Sequence, residues 1–322
     1  MFKLSIYILL AFLLVGTVYS QQQCLDNVVS YTDQDRANIP ASFDARTQWP
    51  NCISPVRDQG SCSSCWAMTS SSILADRLCI ASGGAIKKLL SPQYMVDCAK
   101  NCKTNSQSDC NSGCKFGFLD ISMEYLSNGI SAESCLPYKE SDATCPSQCK
   151  DGSPIQLYYG SGCISIGNLK DAQLEIMKNG PILAVFQIFT SLYNIGSGLY
   201  RGTGDPAEGH AARVIGWGEE NGTPYWLALN SWGTEFGMDG AFKVPMGENI
   251  AGFESQLLSV KPNVDASPKG ADANWNGGST PSTGDNNSGN SGSGNTASQI
   301  LQPISIVFIL ITLLSSAIVM FN

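Results

Sequence analysis

Apolar residues recur with one spacing in the first half of this chain and with another in the second. In the first half the spacing is helical. Cys65 to Ile80 predicts a helix: Ser63 and Ser64 can cap it, Ala67, Leu74 and Leu78 fall on one face, and Gly83 follows its end. A second helix is predicted from Ser91-Pro92, a cap residue followed by proline at the first helical position. Leu119, Met123 and Leu126 mark a third, closed by Gly129, and Asn168 caps a fourth that stops before Gly180-Pro181. After this point the runs are short and alternating: Ile182–Phe189, Ala211–Trp217, Tyr225–Leu229, Ala241–Val244 and Ser255–Val260. Glycine-rich turns separate them, which predicts antiparallel strands. Helices followed by strands predict an α+β fold with two lobes.

The two ends of the chain follow other patterns. Residues 1–20 read as a secretory signal peptide, with Lys3 before an apolar stretch from Leu4 to Val15 and cleavage before Gln21. The alternative is an N-terminal membrane anchor, for which the stretch is short. Residues 265–299 are dominated by Gly, Ser, Asn, Thr and Asp, and are expected to be a disordered stalk. The tail 300–322 holds an apolar run from Ile304 to Phe321, with no Lys or Arg after Lys269. Small residues near Gly292 to Ala297 before that run match a GPI-anchor signal, with a plain tail anchor as the alternative. Either reading tethers the product to a membrane. The expected setting is the secretory pathway, ending outside the cell, at its surface, or in a lysosome or vacuole.

Composition narrows the possible partners. Of 322 residues, 43% are hydrophobic and 14% charged, enough to bury a sizeable core. A formal net charge of −8 without a basic cluster excludes nucleic acid as the expected partner. There are thirteen cysteines and one histidine. In an oxidising compartment the C-x-x-x-C pairs (Cys98 with Cys102, Cys110 with Cys114, Cys145 with Cys149) point to disulfides rather than zinc. A single imidazole weakens a metal reading further, so no metal or cofactor is expected. The odd cysteine count leaves at least one thiol unpaired within the chain.

The stretch Gln59-Gly60-Ser61-Cys62-Ser63-Ser64-Cys65-Trp66 supplies an identity for that thiol. A helix N-terminus favours thiolate, and Cys65 opens the first predicted helix. A lone histidine near a strand is ordinarily structural. Beside a candidate nucleophile, His210 in Glu208-Gly209-His210-Ala211 becomes the candidate base. Asn230, in Asn230-Ser231-Trp232-Gly233, can accept the imidazole N–H and fix the ring. Gln59 can donate its amide to a developing oxyanion, together with the Cys65 backbone N–H.

These motifs resemble the papain family of cysteine peptidases, and most closely its cathepsin B branch. The resemblance covers about 39–264. It rests on Ile39-Pro40-Ala41-Ser42-Phe43-Asp44-Ala45-Arg46, the Cys65 block, Cys110-Asn111-Ser112-Gly113, Asn179-Gly180-Pro181, Gly216-Trp217-Gly218, Asn221-Gly222-Thr223-Pro224-Tyr225-Trp226 and Gly252-Phe253-Glu254-Ser255. His210 also follows Cys65 by about 145 residues, within the separation that family shows. The resemblance implies a helical lobe facing an antiparallel β-barrel lobe, with Cys65 and His210 on opposite walls of a cleft. It implies a peptidase domain at 39–264 preceded by a pro-segment, here only 21–38, much shorter than those of the family. It implies the bridges Cys52–Cys79, Cys62–Cys110, Cys98–Cys145 and Cys135–Cys149, with Cys102–Cys114 as a local addition. Cys24 and Cys163 are left either paired with each other or both free.

The chain also departs from the family pattern. Cathepsin B resembles a carboxydipeptidase because a long loop carries histidines for the substrate's terminal carboxylate. Here Cys135 to Cys145 is too short for that loop, and the only histidine is His210. An endopeptidase with an open primed side is therefore expected, acting on proteins or peptides as a monomer. The alternative is a catalytically silent, surface-tethered binding module of the same fold. The expected substrate-binding residues are Ser112, Gly113, Lys115, Glu208, Gln256 and Trp232. Gln256 stands where cathepsin B has an acidic floor residue, which weakens any preference for arginine there. Ser63 and Ser112 stand where the family carries glycine, and Phe236 where it carries a second tryptophan.

Overall fold

The computed structural model describes residues 23–103, 109–272 and Trp275. The expected signal peptide, most of the expected stalk and the hydrophobic tail lie outside the described residues.

Local sequence sets where the four longer helices begin and end. Helix α1 spans Cys65–Ala81, with Ser64 at its N-cap position. The Ser64 hydroxyl does not cap an amide as expected; it meets the Tyr138 hydroxyl instead. Helix α2 (Pro92–Cys98) starts as predicted, with Ser91 Oγ accepting the Tyr94 N–H at 2.9 Å. Helix α3 (Leu119–Tyr125) tightens into a 3-10 turn at Leu126–Asn128 and ends at Gly129, whose φ of 83° suits a residue without Cβ. Helix α4 (Leu169–Asn179) is capped by Asn168, which accepts from the Asp171 N–H.

The main sheet is mixed. Its main path comprises β1 (Val28–Val29), β2 (Leu157–Ile166), β3 (Ile182–Phe189), β4 (Pro206–Glu220), β5 (Thr223–Leu229), β6 (Ala241–Pro245) and β7 (Leu257–Asn263), with the short strands Phe43–Asp44 on β4 and Ile130–Ser131 on β2. They lie in the order β1-β2-β7-β3-β4-β5-β6, antiparallel throughout except β1 on β2. Strand β2 gave no alternating signal because Gly160, Ser161 and Gly162 interrupt it.

Two cores follow from this order. Helices α1, α2 and α3 enclose Trp66, Ile73, Leu74, Leu78, Met95, Val96 and Met123. The sheet encloses Phe186, Val214, Trp217, Trp226, Phe242 and Phe253. Helix α1 packs on α2 and α3 and also on β4 and β7. It is therefore buried all round from Trp66 to Cys79, rather than along the single face its spacing predicts.

Two expectations need correction. First, the fold runs past residue 264. Gly270–Ala271 pair in parallel with Ile86–Lys87, the Asp272 carboxylate accepts the Leu89 N–H at 2.9 Å, and Trp275 is buried. Composition marks this stretch as stalk because backbone pairing leaves no trace in residue type. Second, two bridges are exchanged. Cys62 joins Cys114 and Cys102 joins Cys110, in place of Cys62–Cys110 and Cys102–Cys114. A turn in which the Ser112 N–H donates to Phe116 O brings the Cys114 carbonyl onto the Ser63 N–H at 3.0 Å, which sets Cys114 beside Cys62. Cys102 and Cys110 then face each other across a short local bridge. The other bridges are Cys24–Cys163, Cys52–Cys79, Cys98–Cys145 and Cys135–Cys149, so Cys65 is the free cysteine.

Candidate active site

Cys65 is the first residue of α1, where unpaired backbone N–H groups carry partial positive charge. The residue behind it fixes the neighbouring wall. Trp66 Nε1 donates to the Gly113 carbonyl at 3.1 Å, and a Cβ on Gly117 would stand 2.4 Å from the Trp66 ring. Only glycine lets residues 115–119 close against the nucleophile's helix. The result is a cavity of about 360 Å³ lined by Cys65, His210 and Gln59, with Lys115, Phe116, Gly117, Glu208 and Gln256 around them.

His210 lies on β4 and is 2% exposed, its ring 5.5 Å from Phe186 and 5.0 Å from Trp232. Its Nε2 is 2.8 Å from Asn230 Oδ1. That same oxygen accepts the Ser231 backbone N–H at 2.8 Å, so it is an acceptor and Nε2 must be the donor. In the neutral ring Nδ1 is then left with its lone pair. Asn230 is itself anchored, its N–H donating to Gly240 O at 2.8 Å.

The Asn230–Ser231 turn also holds Gln59. Ser231 Oγ donates to Gln59 Oε1 at 2.7 Å, and the Gln59 N–H donates to Ser231 O at 2.8 Å. With Oε1 occupied, the Gln59 amide nitrogen turns the other way. It gives one hydrogen to Cys62 O at 3.2 Å and keeps a second for the cavity. Tyr138 steadies the same loop by donating to Gln59 O at 2.9 Å.

Burial opposes a lone charge on either member of the pair. It pushes the Cys65 thiol up to about 11 and draws the His210 imidazole down to about 4. The backbone at Ala211 and Trp66 works in favour of the thiolate, while the Glu208 carboxylate works against it. Among the described residues no group of three or more His, Cys, Asp or Glu stands together to hold a metal.

Of the expected binding residues, Lys115, Glu208 and Gln256 line the cavity. Ser112, Gly113 and Trp232 are not among its lining residues. Ser112 and Gly113 sit in the turn behind the wall, and Trp232 stacks on Tyr193 at 5.4 Å beside the histidine. Phe116, Gly117, Phe118, Leu119, Val185 and the Lys103–Asp120 ion pair line it without having been anticipated. The signal was the choice of cysteine. Cys62 bonds Cys114 rather than Cys110, and the residues that directly follow Cys114 line the cavity.

Comparison with known proteins identifies the family. Residues 39–261 match the family described as papain family cysteine protease. Cathepsin B-like cysteine proteinase 4 of Caenorhabditis elegans is 34% identical over 262 residues, 72% of this chain and 78% of that protein. The gut-specific cysteine proteinase of the same organism is 34% identical over 254 residues, 71% of this chain and 75% of that protein. Among solved structures, proCathepsin B S9 from Trypanosoma congolense superposes with a TM-score of 0.67 at 34% identity, covering 74% of this chain and 82% of that one. This chain belongs to the papain family of cysteine proteases and is cathepsin B-like.

Proposed function

We propose that this protease is an endopeptidase in which Cys65 is the nucleophile, His210 its proton partner, Asn230 the residue that orients the imidazole, and Gln59 an oxyanion donor. The observation that carries this reading is the joint placement of the one free cysteine and the one histidine in a single cavity, the histidine tautomer fixed by Asn230.

The chemistry follows from the geometry. The Cys65 proton passes to Nδ1 of His210, which leaves the net charge of the cleft unchanged. Neither group then bears a lone charge, and the helix terminus favours the thiolate. The thiolate attacks the scissile carbonyl carbon. The oxygen that becomes negative is met by the Gln59 amide and the Cys65 backbone N–H. The imidazolium returns its proton to the departing amine, and the acyl group stays on sulfur as a thioester. His210 then takes a proton from water, whose oxygen attacks the thioester. The carboxylic acid leaves, and the thiol is restored.

Two observations support internal cleavage. No residue between Cys135 and Cys149 lines the cavity, and that segment is drawn onto the helical lobe: Gln93 donates to Ser141 O, and the Lys139 N–H donates to Gln93 Oε1. The chain also offers no histidine besides His210 to capture a terminal carboxylate. Gln256 and the flanking Lys115 and Glu208 set the pocket on one side of Cys65, a neutral floor between opposite charges. The enzyme acts as a monomer on protein or peptide substrates, in the secretory pathway or at the cell surface, tethered through its C-terminus.

The test is labelling by a peptide epoxide at acidic pH, compared with Cys65→Ala, alongside cleavage of an internally quenched peptide against release of C-terminal dipeptides. Labelling lost in the variant and faster internal cleavage support the reading. Labelling that survives the substitution, or faster dipeptide release, rejects it.

A further inference from the structure

Residues 23–38 do not behave as a separable pro-segment. Cys24 is 1% exposed, lies in the helical core and is bonded to Cys163 on β2. Its N–H donates to Glu124 at 2.9 Å, and the Asn27 amide donates to Cys163 O at 2.8 Å. Val28 and Val29 then add a parallel edge to Ser165 and Ile166 of β2. The next residues partner two buried acids of helix α4. The Tyr31 hydroxyl donates to Glu175, the acid that pairs with the buried Arg77 of α1. The Arg36 guanidinium grips both oxygens of Asp171, at 2.9 and 3.0 Å. Both acids are 1% exposed. Loss of the segment would leave Asp171 without its cation and Glu175 without its phenol, and would uncover the Cys163 sulfur. No residue of 23–38 lines the cavity around Cys65.

We propose that residues 23–38 are a permanent, disulfide-anchored arm of the working enzyme, and that the chain is catalytically competent without cleavage before Ile39. The catalytic half rests on the proposed function; the structural half does not. A cut at this boundary would leave the arm covalently attached through Cys24–Cys163, so backbone cleavage alone cannot release it. The arm also ties the two cores together, with Cys24 packed in one and Val29 packed against the other. A device meant to leave would be held by surface contacts; this one is held by a disulfide, by the Arg36 ion pair to the buried Asp171 and by the Tyr31 hydrogen bond to the buried Glu175.

The experiment uses the full chain secreted from a eukaryotic host. The enzyme is labelled at Cys65 with a biotinylated peptide epoxide, and the labelled species is sized and N-terminally sequenced. The expected labelled species retains residues 23–38. Label confined to chains beginning near Ile39, with none on longer chains, overturns the proposal. A second arm needs no activity. A specific protease site is inserted between Arg36 and Ile39 and cut, and the N-terminal peptide is followed by mass with and without reductant. Retention until reductant is added, together with an unfolding midpoint lowered by about 5–10 °C in Arg36→Ala, supports the arm. Release without reductant, or an unchanged midpoint in both Arg36→Ala and Cys163→Ser, overturns it. If no chain of any length takes label, the peptidase assignment fails, and this second arm still decides the first.

Discussion

Helix α1 carries ionisable groups at its first residue and again near its middle, and the fold treats the two places in opposite ways. In the middle, Asp76 meets Arg213 at 2.6 Å and accepts the Ser54 N–H at 2.7 Å. Arg77 meets Glu175 at 2.8 Å and donates to the carbonyls of Pro181 and Gly180. Burial works against the Glu175 charge, yet the Arg77 guanidinium holds its carboxyl below the usual carboxylate range. Burial likewise pushes the Asp76 carboxyl up and the Arg77 guanidinium down, but each of these charges faces an opposite one and is hydrogen-bonded besides. At the start of the helix, the half-buried Cys65 and the buried His210 stand beside a cavity, and desolvation drives each toward its neutral form. A buried charge with fixed partners braces the fold. A buried pair that can exchange one proton is what a nucleophile requires.

The comparison can be broken most severely at Cys65. Cys65→Ala should lower peptide hydrolysis by about 10⁵-fold or more while the unfolding midpoint stays near that of the wild type, measured by progress curves and thermal melts. Residual turnover of even a few per cent would place the chemistry elsewhere. At the braced end the effect should be on stability. Asp76→Ala leaves Arg213 buried without a counter-charge and should cost about 3–5 kcal/mol in urea unfolding. A cost below about 1 kcal/mol would mean that the pair is not what holds this part of the helix.

Much of this arrangement was legible in the residues. The starts of α2 and α4 follow from Ser91-Pro92 and Asn168, because capping is local chemistry. Cys65, His210, Asn230 and Gln59 could be named because each residue type has a recognisable task and the chain holds only one histidine. What could not be read depends on distant partners. Cys110 and Cys114 are both close enough in sequence to serve Cys62, and only the turn from Ser112 to Phe116 decides between them. The same ambiguity hid Phe116 and Gly117 as cavity walls. Arg36 gives no local sign that Asp171 awaits it, and Trp275 none that it closes a core eleven residues beyond the expected boundary at 264.

Two smaller effects sharpen the account of the cleft. Gln59→Ala should reduce kcat by about 10²–10³-fold with little change in KM, since its amide acts on charge that exists only in the transition state. A change confined to KM would make it a ground-state contact. Gln256→Glu places a carboxylate on the neutral floor. It should raise kcat/KM for substrates with arginine in that pocket by about tenfold relative to those with leucine, read from a paired peptide series. No change in that ratio would put the pocket's selectivity in Lys115 and Glu208 instead.

The central claim is that His210 makes the Cys65 thiolate by sharing its proton. The direct measurement is the rate of Cys65 alkylation by a small neutral electrophile from pH 4 to 11, in the wild type and in His210→Ala. Without the imidazole as a partner, the thiol is expected to keep the raised value of about 11 that burial chiefly sets. Thiolate, and with it the rate, should then fall about tenfold for each unit that pH drops below that value. The account predicts that the wild type stays reactive at pH 5–6, and that His210→Ala is at least about 100-fold slower there but recovers steeply toward alkaline pH. Superimposable profiles for the two proteins would contradict it.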